Sequence, residues 1–264
     1  MNNFTGKTVW ITGASSGIGA ALARALAVRG ARLILSARSV DKLETVRQSC
    51  SMPDEHLCLV MDLADRASIE TAWHRLQELP RKVEILINNA GMTQRARVKE
   101  TQMEVYRLLL EVNFLAVVDL TKKVLPDMLE RGAGQIVAVS SVMGKFASPQ
   151  RSGYAAAKHA LQGFMDSLRA EVYDAGIRVL VVSPGFVNTD VSRNALRGDG
   201  TLHNKMDSGQ ATAISAESCA EQIIAAMAKG RDEVFPGGKE RIGLLLNRLS
   251  PALLRRVMRK VRVD

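Results

Sequence analysis

Two side chains in the second half of the sequence have the spacing of an acid–base pair. Tyr154 and Lys158 lie four residues apart in a stretch of helical character, so both project from one helix face. A phenol has an ordinary pKa of about 10 and needs a neighbouring ammonium to exchange protons near neutrality. Ser141 follows an apolar run and can hold a substrate oxygen in place. Together the three predict proton transfer at an oxygen atom, although a Tyr-x-x-x-Lys pair alone is more often a packing residue beside a surface cation.

A glycine-rich turn with the spacing G-x-x-x-G-x-G predicts a nucleotide site near the N-terminus. Glycine lets the backbone bend tightly and approach a pyrophosphate, whose charge is attracted by the N-terminus of the following helix. A turn of this composition can also be purely structural, but its place directly after a strand-like run favours the cofactor. The candidate cofactor contacts in this turn are Thr12, Gly13, Ser15, Ser16, Gly17, Ile18 and Gly19.

The residues that follow the next strands select among nicotinamide cofactors. An acid at the end of the second strand accepts from the ribose 2′-hydroxyl of NAD, whereas an arginine pairs with the 2′-phosphate of NADP. Arg38 stands there and no acid occupies the turn, which predicts NADP(H), with a solvated cation as the alternative. Asp62, after the third strand, is either an adenine contact or the cap of the next helix. Further candidate contacts after the fourth strand are Asn89, Ala90 and Gly91.

Apolar runs of strand length alternate with amphipathic stretches of helix length along most of the chain. This alternation predicts an α/β fold, a single-domain doubly wound (Rossmann) parallel sheet of about seven strands with helices on both faces. The strand-like runs are residues 8–11, 33–35, 57–61, 83–87, 136–139, 179–182 and 234–235. We predict a domain over residues 1–240, in which the polar segment 187–208 is a lid over the substrate, and a helical extension over residues 241–264.

In motif order and spacing, the segment from Lys7 to Gly237 resembles the short-chain dehydrogenase/reductase family. The matched positions are Thr12 to Gly19, Asp62, Asn88 to Gly91, Asn113, Ser141, Tyr154, Lys158, Pro184, Gly185 and Thr189. The resemblance implies that Ser141, Tyr154 and Lys158 are catalytic, and that Asn113 is a fourth member holding a water that links the lysine to solvent. It also implies a nicotinamide-positioning turn with contacts from Pro184, Gly185, Val187 and Thr189.

The resemblance extends to cofactor type and assembly. Arg38 is similar to the arginine of the family's NADP-preferring members, but many of these carry a second basic residue where this chain has Ser16. The segment from Asp190 to Asp207, with the C-terminal tail, is loosely similar to the member-7 branch of dehydrogenase/reductase proteins, some of which associate with membranes. The family resemblance also implies a homodimer or homotetramer.

The net charge of +9 is concentrated at the C-terminus, where residues 241–264 hold seven basic residues and one acid. Ser250 and Pro251 predict the start of an amphipathic helix with an apolar side and a basic remainder. Such a helix can lie on an anionic membrane, cover the mouth of the pocket or pack on another subunit. Aromatic residues make up only 4%, so the chain lacks the stacking surface of a nucleic-acid binder.

The spacing of the cysteines and histidines predicts neither a disulfide framework nor a metal site, and the N-terminus has no secretion signal. We therefore expect a cytoplasmic protein, with peripheral membrane contact through the tail as the alternative. The basic run 94–99 is interpreted as a solvated loop, with contact to an anionic substrate as the less favoured alternative.

These features predict an NADP(H)-dependent oxidoreductase that moves a hydride between the nicotinamide and a carbonyl or secondary alcohol carbon. Met143, Phe146 and Phe186 are expected to neighbour the substrate, and their apolar character favours a hydrophobic ketone or aldehyde. The alternative is a non-catalytic NADP(H)-binding sensor or scaffold whose basic tail binds a partner.

Overall fold

A parallel sheet of seven strands forms the centre of the computed structural model, which describes residues 4–207, 213–238 and 240–259, with backbone alone at position 241. The strand order is β3-β2-β1-β4-β5-β6-β9. These strands are β1 (Thr8–Thr12), β2 (Arg32–Ala37), β3 (Leu57–Val60), β4 (Ile85–Asn88), β5 (Gly134–Val139), β6 (Ile177–Val182) and β9 (Glu233–Val234). The order reverses between β1 and β4, and a crevice opens at the carboxyl ends of the strands beside such a point.

Helices cover both faces of the sheet, because right-handed β-α-β crossovers that run from β1 in one direction and from β4 in the other place their helices on opposite faces. They are α1 (Gly17–Val28), α2 (Val40–Gln48), α3 (Arg66–Gln77), α4 (Met103–Leu110), α5 (Ala116–Arg131), α6 (Ser152–Glu171), α7 (Ala216–Ala228), α8 (Glu240–Leu249) and α9 (Pro251–Met258). A short parallel pair, β7 (Val187–Asn188) with β8 (Ile214–Ser215), lies apart from the main sheet.

Strand β1 shows why the sheet is buried on both sides. Val9 and Ile11 point into one apolar core, which they share with residues of α1, α2 and α7. Trp10, between them, points into the opposite core, formed with α3, α5 and α6. All three side chains are fully buried, which explains why the strand reads as a continuous apolar run rather than an alternating one.

The predicted architecture is confirmed, with small differences at the strand ends. Each of the seven strand-like runs is a strand of the main sheet. The fourth begins at Ile85 rather than at Val83, and the last is a two-residue strand that starts at Glu233. The β7–β8 pair was not predicted, because two-residue strands carry too little periodicity to be recognised.

The lid and the tail were predicted as segments 187–208 and 241–264. After β7 the lid is irregular: a bridge from Leu196 to Gln94 joins it to the body, and a bridge from Leu196 to Leu202 lies within it. Its last residue, Ser208, lies outside the described residues, as do positions 260–264 of the tail. The described part of the tail forms two short helices, α8 and α9, and Ser250 precedes Pro251 at the start of α9 without making a side-chain capping bond. No helix in the described ranges is both long and apolar enough to cross a membrane.

Candidate active site

The glycine turn between β1 and α1 is a tight cradle. Gly13 and Gly17 adopt positive φ angles of 65° and 52°, a backbone region that L side chains rarely occupy. A Cβ atom at position 19 would stand 2.2 Å from the carbonyl oxygen of Gly13, so no side chain fits there. The turn therefore keeps its backbone free of side chains at the crevice, which suits the close approach of a pyrophosphate.

Hydrogen bonds tie this cradle to the end of β4. The Thr12 hydroxyl accepts from the backbone N–H groups of Asn89 and Ala90, each at 3.1 Å. In return, the Asn89 amide donates to the carbonyl oxygens of Thr12 (3.0 Å) and Gly13 (3.2 Å). The small polar residues after β4 thus hold the glycine turn in shape from the neighbouring strand.

Helix α1 begins without the side-chain cap that α2, α3 and α7 have. Ser39, Asp65 and Ser215 cap α2, α3 and α7 with side-chain hydrogen bonds to first-turn amides. The residue that precedes α1, Ser16, makes no such bond, and the first turn of α1 holds no acid. Its backbone N–H groups therefore lack a capping side chain, and together with the helix dipole they fit a phosphate group.

The ends of β2 and β3 hold the two charged residues predicted to select the cofactor. Arg38 is exposed beside the crevice and, within the described ranges, forms no hydrogen bond or ion pair. The Asp62 carboxylate accepts from the backbone N–H of Ala64 at 3.0 Å. The cap of α3 is Asp65, so the alternative role of Asp62 as that cap is wrong.

A single cleft brings most of the remaining predicted residues together. Its lining includes Ile18, Asn89, Gly91, Asn113, Ser141, Tyr154, Lys158, Pro184, Gly185, Val187 and Thr189. The other predicted residues lie outside this lining, at the carboxyl ends of β1 to β4: Thr12, Gly13, Ser15, Ser16, Gly17, Gly19, Arg38, Asp62 and Ala90. The cleft and the cradle meet at Ile18 and Asn89, so the predicted positions form one continuous groove.

Ser141 and Tyr154 face each other across this cleft. Ser141 follows β5, and its hydroxyl accepts from the backbone N–H of Met143 at 3.1 Å, which fixes the side chain. Burial raises the pKa of the Tyr154 phenol, while a hydrogen bond with Ser141 and the charge of Arg151 oppose that rise. The phenol is therefore a protonated donor at neutral pH in this arrangement.

Lys158 is a buried amine without a counter-ion. Its Nζ donates to the carbonyl oxygen of Val139 at 2.8 Å and lies 5.8 Å from the centre of the Tyr154 ring. It forms no ion pair with any described carboxylate. Burial lowers the pKa of Lys158 to about 7, so its charge is easily gained or lost near neutrality.

Asn113 lies in a π-helical turn, Glu111–Leu115, between α4 and α5. Its amide nitrogen donates to the carbonyl oxygens of Met92 (3.0 Å) and Leu109 (2.9 Å), and its oxygen accepts from Met92 N–H (3.2 Å). The wider π-helical turn directs this fully buried side chain toward Gly91 and Lys158. No local pattern in the sequence announces a π turn; the position was predicted from the resemblance alone.

The turn after β6 closes the cleft on the side opposite α6. Thr189 packs against Gly17, where an added Cβ would lie 3.0 Å from the threonine methyl group. Glu240, the first residue of α8, accepts from the backbone N–H of Phe186 at 3.2 Å and packs against Gly185. The C-terminal helices are thus anchored to the turn that the resemblance assigns to the nicotinamide.

The substrate side of the cleft holds charges that the sequence interpretation missed. Arg95 lines the cleft in a buried ion pair with Asp207, so it is not the solvated loop cation predicted for run 94–99. Arg151 also pairs with Asp207, at 2.9 Å. Of the predicted apolar neighbours, Phe186 lines the cleft, whereas Met143 and Phe146 pack with Leu244 of α8. The same apolar cluster includes Tyr154, so Met143 and Phe146 lie near the candidate catalytic tyrosine although they are outside the lining of the cleft.

Known proteins similar to this chain belong to one family. Residues 7–199 match the family described as short chain dehydrogenase. A Drosophila melanogaster protein named dehydrogenase/reductase SDR family protein 7-like is 41% identical over 265 residues, which cover 98% of this chain and 81% of that protein.

Two similar solved structures contain a bound nicotinamide nucleotide. A short-chain dehydrogenase from Sphingobium yanoikuyae in complex with NADPH has a TM-score of 0.77 at 27% identity, covering 97% of this chain and 96% of that chain. A short chain dehydrogenase/reductase SDR from Burkholderia phymatum in complex with NAD has a TM-score of 0.82 at 23% identity, covering 96% of each, and so shows the shared fold.

Proposed function

Because the chain belongs to the short-chain dehydrogenase/reductase family, we propose that it is an NADP(H)-dependent enzyme that interconverts a carbonyl compound and the corresponding alcohol. The observation that carries the proposal is the convergence of Asn113, Ser141, Tyr154 and Lys158 on the cleft that continues into the glycine cradle. When bound, NADPH supplies the hydride for the carbonyl carbon.

The proton goes to the substrate oxygen from Tyr154. Ser141 holds that oxygen by a hydrogen bond, and the raised pKa of the tyrosine keeps its proton available for donation. Lys158, whose pKa lies at about 7, then returns a proton to the Tyr154 phenolate. Asn113 lines the cleft beside Lys158. In the reverse direction the deprotonated Tyr154 phenolate takes the proton from the alcohol, and Lys158 receives the proton that leaves the phenol.

The experiment that tests this role is NADPH oxidation on a panel of ketones and aldehydes with the Tyr154→Phe variant. We expect a loss of turnover of about 10³-fold, in the range of a missing general acid, while NADPH binding is retained. Tyr173→Phe, on an exposed tyrosine, is the matched control and should behave as wild type. Full activity of Tyr154→Phe would sink the mechanism, and NADPH binding without turnover on any substrate would favour the sensor alternative.

The preference for NADP(H) rests on Arg38. This exposed guanidinium at the end of β2, without an acid in the turn, supports pairing with a 2′-phosphate. Titration with NADPH and with NADH, followed by nicotinamide fluorescence, should show tighter binding of NADPH. Arg38→Ala should weaken NADPH binding by about 10- to 100-fold and leave NADH unchanged, whereas Arg75→Ala, an exposed arginine of α3, should change neither. Equal binding of both nucleotides to the wild type would contradict the preference.

The outward face of the C-terminal helices supports a second proposal, peripheral contact with an anionic membrane. Exposed apolar side chains on this face are Ile242, Leu245, Leu249, Leu253 and Val257. Exposed arginines at 248, 255, 256 and 259 surround them, the pattern of an interfacial helix. We expect the wild type to co-sediment with phosphatidylglycerol vesicles and not with phosphatidylcholine vesicles. The variant Arg255→Glu/Arg256→Glu should not co-sediment with either. A Leu249-dependent dimer without vesicle binding would instead assign the face to a subunit contact.

A further inference from the structure

Three buried charges in the substrate half of the cleft do not balance. The Asp207 carboxylate accepts from Arg95 Nε at 3.0 Å and, in a second and shorter bond, from Arg95 Nη2. It also accepts from Arg151 Nη2 at 2.9 Å and from the Ser192 hydroxyl at 3.0 Å. One carboxylate thus serves two guanidinium groups, and the cluster carries a net positive charge.

No other described residue of the cleft supplies the missing negative charge. Asp207 is the one acid among the described lining residues, whereas Lys158 adds a third basic group. Positions 208–212, which follow Asp207 in the chain, are Ser-Gly-Gln-Ala-Thr and hold no ionisable side chain. The side chains of Arg95, Asp207 and Arg151 are only 2%, 5% and 11% exposed, so water does little to compensate the charge.

Arg151 is the incompletely satisfied member of the cluster. Arg95 is saturated, because besides Asp207 it donates to the Thr93 hydroxyl and to the carbonyl oxygen of Gln94. The Nε of Arg151, by contrast, is buried and has no hydrogen-bond partner among the described residues. Burial and the neighbouring Arg95 lower the pKa of Arg151 to about 10, although Asp207 acts in the opposite direction. A buried guanidinium with an unused donor is costly unless a further acceptor completes it.

The position of Arg151 ties this unused donor to the reaction centre. It directly precedes α6 and stands three residues before Tyr154, about one helical turn away. The Phe186 ring lies 5.8 Å from its guanidinium carbon and forms an apolar wall beside it. Both side chains line the same cleft and the charge of Arg151 acts on the Tyr154 phenol, so a molecule whose carbonyl oxygen meets Tyr154 can reach toward Arg151.

We propose that Arg151 binds an anionic group of the substrate, a carboxylate or a phosphate, and that Asp207 and Ser192 of the lid hold this arginine in position. The inference rests on the proposed carbonyl-reducing function and assigns its substrate class, an oxo acid or oxo phosphate rather than a neutral ketone. The anion supplies the charge that the cluster lacks, and the lid residues close around it.

The test compares matched acid and ester substrates with NADPH at pH 7. The pairs are 4-oxopentanoate with its methyl ester, and (2-oxopropyl)phosphonate with its diethyl ester. We expect kcat/KM to favour at least one acid over its ester by about 10- to 100-fold, the range of a hydrogen bond to a charged group. The pair with the larger ratio tells a carboxylate site from a phosphate site.

Arg151→Gln should reduce this preference by lowering kcat/KM for the acid more than for the ester, and Arg151→Lys should restore part of it. Arg107→Gln, on an exposed arginine of α4, removes the same charge from the surface and should keep the preference. Equal losses for acid and ester in Arg151→Gln, or a wild-type preference for the ester, would overturn the proposal.

A binding measurement separates this inference from the proposed reaction. In the presence of NADPH, the acid should raise the Tm of wild type and of Tyr154→Phe, but not that of Arg151→Gln. A rise in Tm without turnover of any substrate would keep the anion site and refute the reaction. Turnover of the esters, with no rise in Tm from either acid, would keep the reaction and refute the anion site.

Discussion

The two ends of the groove are held in shape by different parts of the chain. At the cofactor end, backbone geometry fixes the shape through positive φ angles at Gly13 and Gly17, the close approach of Gly19 to a carbonyl oxygen, and a helix without a side-chain cap. At the substrate end, side chains fix the shape through an ion pair between two residues 112 positions apart, Arg95 and Asp207. The shape of the first end should therefore be sensitive to added carbon atoms, and the shape of the second end to changes of charge.

The largest effect is expected at the substrate end, from Asp207→Asn. This change leaves two buried guanidinium groups without a charged partner and should lower the free energy of unfolding by about 3–5 kcal/mol in urea denaturation. Asp190→Asn, which removes an exposed ion pair with Arg193 on the same lid, should lower the free energy of unfolding by less than about 1 kcal/mol. Similar values for the two variants would remove the distinction between the two ends.

The acid dependence of this ion pair has a definite sign. Burial alone would raise the pKa of Asp207, but the bonds and charges of Arg95 and Arg151 outweigh it and hold the pKa below its usual value. A lowered pKa in the folded state stabilises the protein above the ordinary pKa of aspartate, and the stabilisation is lost as the pH falls through the lowered value. The stability gap between wild type and Asp207→Asn should accordingly narrow in acid.

Lys158 is a buried charge of the opposite kind, because no described carboxylate pairs with it and its Nζ donates to a backbone carbonyl oxygen instead. Its pKa of about 7 means that the folded state binds fewer protons than the unfolded state between about pH 7 and its ordinary value. The buried ammonium therefore destabilises the folded state fully below pH 7, and this destabilisation disappears as the pH rises toward the ordinary pKa of lysine. Lys158→Met should therefore raise the free energy of unfolding by roughly 3 kcal/mol at pH 6 and by much less at pH 10.

Thermal denaturation by circular dichroism at pH 6, 8 and 10 measures this gap. Lys122→Met, on an exposed lysine of α5, controls for the added apolar side chain and should show no dependence on pH. A gap for Lys158→Met that does not change with pH would mean that the lysine is not held near neutrality by burial.

The cofactor end is tested by adding one carbon atom. Gly19→Ala places a methyl group within 2.2 Å of the Gly13 carbonyl oxygen, so the cradle must open. We expect NADPH affinity to fall by about 100-fold in fluorescence titration, since strain of this kind costs on the order of 1–3 kcal/mol. Gly163→Ala, in α6 with no atom within 4 Å, should leave affinity unchanged and stabilise the helix slightly. An intact cradle in Gly19→Ala would contradict the backbone account.

The contrast between the two ends also explains what the sequence predicted. The sheet, the glycine turn and the Tyr154–Lys158 pair were readable because each depends on neighbours within a few residues. The Arg95–Asp207 pair was not, because nothing local couples residues 112 apart and a basic run is usually solvated. The π turn at Asn113 has no local signature either, and the cap of α3 went to Asp65, which is closer to the helix than Asp62.

One side-chain contact at the cofactor end offers the smallest and sharpest test of the contrast. Glu240 of α8 accepts from Phe186 N–H at 3.2 Å and from Gly238 N–H at 3.1 Å, and so supports the turn that follows β6. Glu240→Gln keeps one acceptor oxygen and should weaken the binding free energy of NADPH by about 1 kcal/mol, a loss of about fivefold in affinity. Glu130→Gln, on an exposed glutamate of α5, should leave NADPH affinity unchanged.

A loss far above fivefold would show that a side chain, and not only backbone geometry, determines cofactor binding. The C-terminal helices would then be coupled to the nicotinamide turn through Glu240, because this residue begins α8 and packs against Gly185. A loss near the expected value keeps the two ends distinct: the tail braces the turn, and the cradle binds the nucleotide.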